Sequence, residues 1–90
     1  DRTVLEMFEY FRILTGRVEV VRYSFHWQDG DGRLRKRWDN APHHPEVSTH
    51  PHHLHDGAEE SVRPHASMDV GQVLTLVAPA FEEPRRPSDG

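Results

Sequence analysis

The chain contains no cysteine in its ninety residues. That excludes a disulfide framework, a thiol nucleophile and every thiolate zinc site. Lysine is nearly absent too: Lys36 stands alone, so positive charge is carried by arginine. No apolar run approaches the ~20 residues that span a bilayer, and no signal-peptide pattern is present, so a cytoplasmic, non-membrane protein is expected. Three catalytic signatures are missing: the Gly-rich phosphate loop, the Gly-x-Ser-x-Gly elbow and the His-Glu-x-x-His helix. Nucleotide hydrolysis, serine hydrolysis and zincin chemistry therefore lose their usual footing. The length leaves room for one domain with one modest core.

What the chain has in excess is histidine. Eight are present, and six of them (His43, His44, His50, His52, His53 and His55) fall within a short stretch. Imidazole titrates near pH ~6.5. Protonating all eight would turn the formal net charge from −4 to +4.

The patterning predicts strands first and one helix last. Residues 3–14 are rich in β-branched and aromatic side chains and end at Thr15-Gly16-Arg17, which favours a strand over a helix. On that reading Leu5, Met7, Phe11 and Ile13 share a face, with Glu9 intruding. From Val18 to Gln28 the period is two: Val21, Tyr23, Phe25 and Trp27 face one way, and Val20, Arg22, Ser24, His26 and Gln28 the other. Asp29-Gly30-Asp31-Gly32 is a hairpin signal, since both residue types tolerate positive φ. Arg33 to Asp39 returns as a third strand, with Leu34 and Trp38 alternating with Arg33, Arg35, Arg37 and Asp39. The expectation is a three-stranded antiparallel meander.

Beyond Asn40, prolines 42, 45, 51 and 64 discourage long regular elements. A short edge strand fits near Val47–His50 or Pro51–His55, and Asp56–Arg63 reads as loop. Val70, Val73, Leu74 and Val77 follow helical spacing, with Ser67 or Asp69 as cap and Pro79 as the stop. The fold class expected is α+β: a small antiparallel sheet with a C-terminal helix on one face. Residues 1–80 form the domain and 81–90 a disordered tail.

The polar face of the hairpin carries the chemistry. With a turn over Asp29–Gly32, Gln28 faces Arg33, His26 faces Arg35, and Ser24 lies near Arg37. Guanidinium groups hold phosphate bidentately, and a histidine beside them can move a proton near neutral pH. That is the minimum equipment of a metal-independent ribonuclease: a base for the 2′-hydroxyl, an acid for the leaving oxygen, and cations for the phosphorane. The bland alternative is an ordinary solvated sheet face. The candidate catalytic residues are His26 with His43, His44, His53 and His55. The candidate phosphate contacts are Arg22, Arg35 and Arg37.

The histidine-rich segments have a second reading. His53 and His55 share a face in an extended segment, and Asp39, Asp56 or Glu46 could complete a zinc, nickel or copper site. Any histidine cluster binds metal to some degree, so no metal ligand is assigned and no cofactor is required. A divalent metal at this loop stays open. Asp39 also suits a role orienting a histidine, while Trp38, Asn40 and Pro42 read as structural.

The stretches Tyr23–Leu34 (Tyr-Ser-Phe-His-Trp-Gln-Asp-Gly-Asp-Gly-Arg-Leu), Arg37–Glu46 (Arg-Trp-Asp-Asn-Ala-Pro-His-His-Pro-Glu) and Pro51–His55 (Pro-His-His-Leu-His) resemble the TumE family. Such proteins are regarded as toxin components of prokaryotic toxin–antitoxin modules, and the likeness covers residues 3–77. It implies an antitoxin partner and an effect on growth. It also implies further N-terminal sequence, so the domain is expected to lack some of its first strands. RNA is the expected target, with self-association left open. Two other classes remain: a non-catalytic module that inhibits growth by binding protein or RNA, and a histidine-rich metal-binding protein.

Overall fold

A computed structural model describes residues 2–82. The elements in chain order are β1 (Thr3–Leu14), β2 (Arg17–Asp29), β3 (Leu34–Asp39), β4 (His53–Asp56), β5 (Val62–Pro64) and α1 (Val70–Phe81). The strands form one antiparallel sheet in the order β1-β2-β3-β4-β5, and α1 covers part of one face. The α+β class expected from the pattern is the class observed.

The meander is longer than the sequence suggested. The short strand allowed near Pro51–His55 is present as His53–Asp56, but inside the sheet rather than at its edge, because Val62–Pro64 adds a fifth strand where a loop was expected. Three residues give too short a period-two pattern to read, and here proline hides it further. Short strands gain their order from neighbours already in the sheet rather than from their own propensity.

The turns follow the expected chemistry. Gly16 takes φ +78° between Leu14 and Arg17. At the second hairpin Gly32 takes φ +90°, its N–H donates to the Asp29 carbonyl, and the Asp31 side chain accepts from Arg33 N–H. Gly30 is required for a different reason: a Cβ there would collide with the Arg2 carbonyl oxygen.

Two bulges set which side chains share a face. One lies between β2 and β3 at Trp27/Gln28, so Trp27 pairs with Lys36 and Gln28 with Leu34. Arg35 is the extra residue. It leaves the face it was assigned to, lays its guanidinium 4.2 Å from the centre of the Trp27 ring, and pairs with Asp29. In place of the expected pairs, His26 faces Arg37 and Ser24 faces Asp39. Two one-residue shifts add up here. The turn already pairs Gln28 with Leu34 rather than Arg33, and the extra β3 residue moves the later pairs by one more, so Arg37, Trp38 and Asp39 keep the faces expected of them while Leu34 and Arg35 do not. The second bulge, between β1 and β2 at Tyr10/Phe11, pairs Phe11 with Val20 and Ile13 with Val18. Val20 thus joins the apolar face instead of the polar one.

The core lies between the sheet and α1. Phe25, Trp38, Val73 and Val77 are almost fully buried, with Tyr23, Trp27, Leu54 and Met68 around them. Phe25, Trp38 and Leu54 form one cross-strand row. Asp69 caps α1 by accepting from Gln72 N–H, and the Gln72 side chain accepts from Asp69 N–H in return, closing a capping box. Val73 and Val77 point inward, but Leu74 is exposed. Pro79 does not end the helix. It sits in the last turn, which continues to Phe81. Of the expected tail, residue 81 is therefore helical, and residues 83–90 lie outside the described residues.

Tyr23 ties core to loop. Its hydroxyl bonds His52 Nδ1 at 2.8 Å and accepts from Met68 N–H, and burial pushes its phenol above the ordinary value. Asn40 stitches the end of β3 to β2: its side chain accepts from Tyr23 N–H and donates to the Val21 carbonyl. Its structural reading holds, as does that of Trp38.

Candidate functional site

The face of the sheet opposite α1 carries two polar rows fixed by register. One is His26–Arg37–His55 and the other Ser24–Asp39–His53, each running across β2, β3 and β4. Partners in register project to the same side, so strand pairing alone collects side chains from distant parts of the chain. The segment between β3 and β4 folds back over these rows and brings His44 down onto them. Its ring meets those of His53 and His55 edge-on, at centroid distances of 5.0 and 5.6 Å. Asp39, His53 and His55 are thereby buried, although the sheet face they occupy carries the polar residues.

A cavity of about 460 Å³ opens here, lined by Arg37, Asp39, His43, His44, His53 and His55, with Glu59 at its edge. Asp39 is the hub. Its Oδ1 lies 2.9 Å from His53 Nε2 and accepts from Ala41 N–H at 3.0 Å. Its Oδ2 lies 3.3 Å from Arg37 Nε and 3.4 Å from His55 Nε2. The two Nε2 atoms are 3.1 Å apart.

The other ring nitrogens are tied down. His53 Nδ1 lies 2.8 Å from the Pro51 carbonyl, and His55 Nδ1 2.8 Å from that of Glu59. A carbonyl only accepts, so each Nδ1 is the protonated, donating nitrogen. His44 Nδ1 donates to the Glu46 carboxylate at 3.0 Å. A hydrogen bond from its own backbone N–H and then the His44 ring hold the Glu46 carboxyl below its ordinary value. In all three imidazoles Nε2 is left as the free nitrogen.

Of the sequence candidates, the structure gathers His43, His44, His53, His55 and Arg37 at this cavity. His26 stands beside Arg37 on β2, half-buried, with Nε2 2.9 Å from the Gln28 side chain. Arg22 is on the same strand but lies further out, exposed and paired across to Tyr10. Arg35 is on the helix side and takes no part, for the reason given by the bulge. Asp39 lies beside His53 and His55 on the Nε2 side, but the carbonyls on Nδ1, not Asp39, set their tautomer.

Glu59 was not anticipated, and Glu46 takes a different part from the metal ligand it was offered as. Glu59 forms an ion pair with Arg37 through both carboxylate oxygens, and Glu46 fixes His44. Its place two residues after His44 brings Glu46 to the Nδ1 side of that ring, behind the site. Glu59 carries no local signal, because its role depends on the β4–β5 hairpin. The cavity is also more acidic than the arginine pattern suggested: Asp39 and Glu59 both pair with the single guanidinium of Arg37.

A helix-backed antiparallel sheet with a histidine-lined cavity on its open face defines a small α+β protein built around one polar site. The family model described as Toxin TumE matches residues 1–86, and the chain belongs to that toxin family. No curated protein and no solved structure matches it. Among the described residues, no helix is long and apolar enough to cross a membrane.

Proposed function

We propose that this chain is the toxin of a toxin–antitoxin pair and that it cleaves RNA at the cavity on the open sheet face. The observation that carries the reading is the position of Arg37 at the edge of a histidine-lined cavity wide enough for a nucleotide phosphate. Arg37 is the one candidate phosphate contact present there. Its present partner, Glu59, is an exposed carboxylate on a loop, and an incoming phosphate takes its place by the same two-oxygen geometry.

The chemistry is in-line attack of a ribose 2′-hydroxyl on the adjacent phosphorus. A base removes the hydroxyl proton, the P–O5′ bond breaks, an acid protonates the leaving 5′ oxygen, and a 2′,3′-cyclic phosphate remains. His43, exposed at the rim, and His26, beside Arg37, are the imidazoles suited to exchange those protons. His53 and His55 are too buried to reach a polymer backbone. General acid–base catalysis of this kind contributes about 10²–10⁴-fold.

The test is RNA cleavage by the purified protein, with and without EDTA. Arg37→Ala is expected to lose about 100-fold or more. Glu59→Gln is expected to cleave faster than wild type, because Arg37 is no longer occupied. Equal rates for wild type, Arg37→Ala and His43→Ala would overturn the reading. Growth arrest with no cleavage product under any metal condition would favour a non-catalytic binding module instead.

The antitoxin's contact, on this reading, is the far end of the β1–β2 hairpin. Phe11, Ile13, Val18 and Val20 continue the apolar sheet face beyond the reach of α1 and are exposed by about half or more. A contiguous apolar patch of this kind marks a protein contact. Phe11→Glu and Val18→Glu should fold, arrest growth and escape neutralisation by the co-expressed antitoxin. Neutralisation equal to wild type would remove the antitoxin from this surface.

A further inference from the structure

We propose that His44, His53 and His55, with Asp39 as fourth ligand, form a binding site for a first-row divalent transition-metal ion of the zinc class. The proposal does not depend on RNA being the substrate.

The argument begins with the hydrogen-bond roles. Nδ1 of His53 and of His55 faces a backbone carbonyl, which fixes Nδ1 as the donor on both rings. With neutral rings, both Nε2 atoms then present lone pairs. They point at each other across 3.1 Å and at the oxygens of Asp39 across 2.9 and 3.4 Å. Arg37 Nε and Ala41 N–H donate to the Asp39 oxygens from outside, but between those oxygens and the two Nε2 atoms no N–H is left to lie. Such a cluster is repulsive unless something positive sits inside it.

Geometry identifies the cation. Two imidazole nitrogens bound to one zinc ion at ~2.0–2.1 Å and a tetrahedral angle are about 3.3 Å apart. The observed separations among His53, His55 and Asp39 bracket that edge length. One nitrogen each of His44, His53 and His55 lies within 4.8 Å of the others. His44 is at the rim, where a small ring movement closes it over an ion.

The supporting contacts have the character of a metal site. A ligating histidine normally donates its second ring N–H to a carbonyl or carboxylate, which fixes the tautomer and aims the ligating nitrogen. All three rings do so, through Pro51, Glu59 and Glu46. Imidazole-rich donor sets suit zinc, copper, nickel and iron rather than magnesium or calcium. Charge points the same way: one guanidinium against Asp39 and Glu59 leaves the cavity one charge negative, and Glu46 adds a second negative charge behind His44. A divalent ion neutralises that excess, which also readies the cavity for an anion.

The test uses untagged full-length chain stripped with EDTA. Titration with zinc chloride, followed by calorimetry and elemental analysis, should give one ion per chain and a raised thermal midpoint. Magnesium should not bind, and cobalt(II) should give the intense visible bands of a four-coordinate site. His53→Ala and His55→Ala should lose about 100-fold or more in zinc affinity. His44→Ala at the rim, which is not part of the core, should lose at least about tenfold and keep the fold. His65→Ala, outside the cluster, should bind as wild type. Absence of a bound ion, or zinc binding by His44→Ala equal to wild type, would overturn the proposal; the first result would mean that a proton alone holds the imidazoles together. Zinc binding without RNA cleavage would leave the metal site standing and the ribonuclease reading in error.

Discussion

Phe25→Ala should lower stability by about 3–5 kcal/mol, the range for truncating a fully buried phenylalanine. Phe25 has no exposed surface, stacks on Tyr23 at 5.3 Å and occupies the row that joins it to Trp38 and Leu54. A chain of this length holds only about 5–13 kcal/mol in total, so the variant loses a large share of its margin. The backbone at Phe25 is clamped between Met7 on β1 and Trp38 on β3, and the core cannot collapse to fill the gap. Phe11→Ala is the matched control. It removes the same atoms from the same sheet, but Phe11 is 54% exposed, so the cost should stay under about 1 kcal/mol. Urea denaturation followed by tryptophan fluorescence measures both. Similar losses for the two variants would mean that the core does not lie between sheet and helix.

Why the core was legible while the site was only half so can be traced to particular residues. Tyr23, Phe25 and Trp27 alternate over a long strand, and Val70, Val73 and Val77 repeat at helical spacing. Both patterns are periodic and local, and they pointed to the sheet face and the helix packed on it. The Asp-Gly-Asp-Gly turn also announced itself. The bulge at Trp27/Gln28 did not, because nothing in Leu34-Arg35-Lys36 marks which residue is the extra one. That one residue moved Arg35 to the helix side and, together with the one-residue longer turn that pairs Gln28 with Leu34, placed Arg37 opposite His26. The site's other half comes from β4, which carries both His53 and His55. A short edge strand near Pro51–His55 could be read there, with both rings on one face; that a fifth strand would make it an inner one could not. Their burial follows from the fold-back of the segment that holds His44, a tertiary event with no local cause. Composition pointed to histidine, and only the register showed that His44, His53 and His55 share a centre.

Asp39 is where those levels meet, and its two substitutions should separate. Asp39→Ala in metal-free protein, kept so with EDTA, should cost about 2–5 kcal/mol. The Ala41 N–H loses its acceptor and Arg37 loses a charge-assisted bond, each worth about 1–3 kcal/mol where buried. Asp39→Asn should cost far less. Its amide oxygen still accepts from Ala41 N–H, and its amide N–H can donate to a bare Nε2 of His53 or His55. The isostere therefore replaces an acceptor by a donor in a cluster made of acceptors. Zinc affinity should respond in the opposite sense. An asparagine at this position keeps the shape of the side chain but withdraws the anion that balances the ion. Binding should then weaken by at least about tenfold while metal-free stability is nearly kept. Urea midpoints in EDTA and zinc titration on the same two variants read the two effects separately. If Asp39→Asn instead destabilises as much as Asp39→Ala and leaves zinc affinity unchanged, Asp39 serves only as a counter-charge for Arg37 and a protonated imidazole. A conserved stability with weakened zinc binding is the pattern that a ligand, rather than a structural carboxylate, produces.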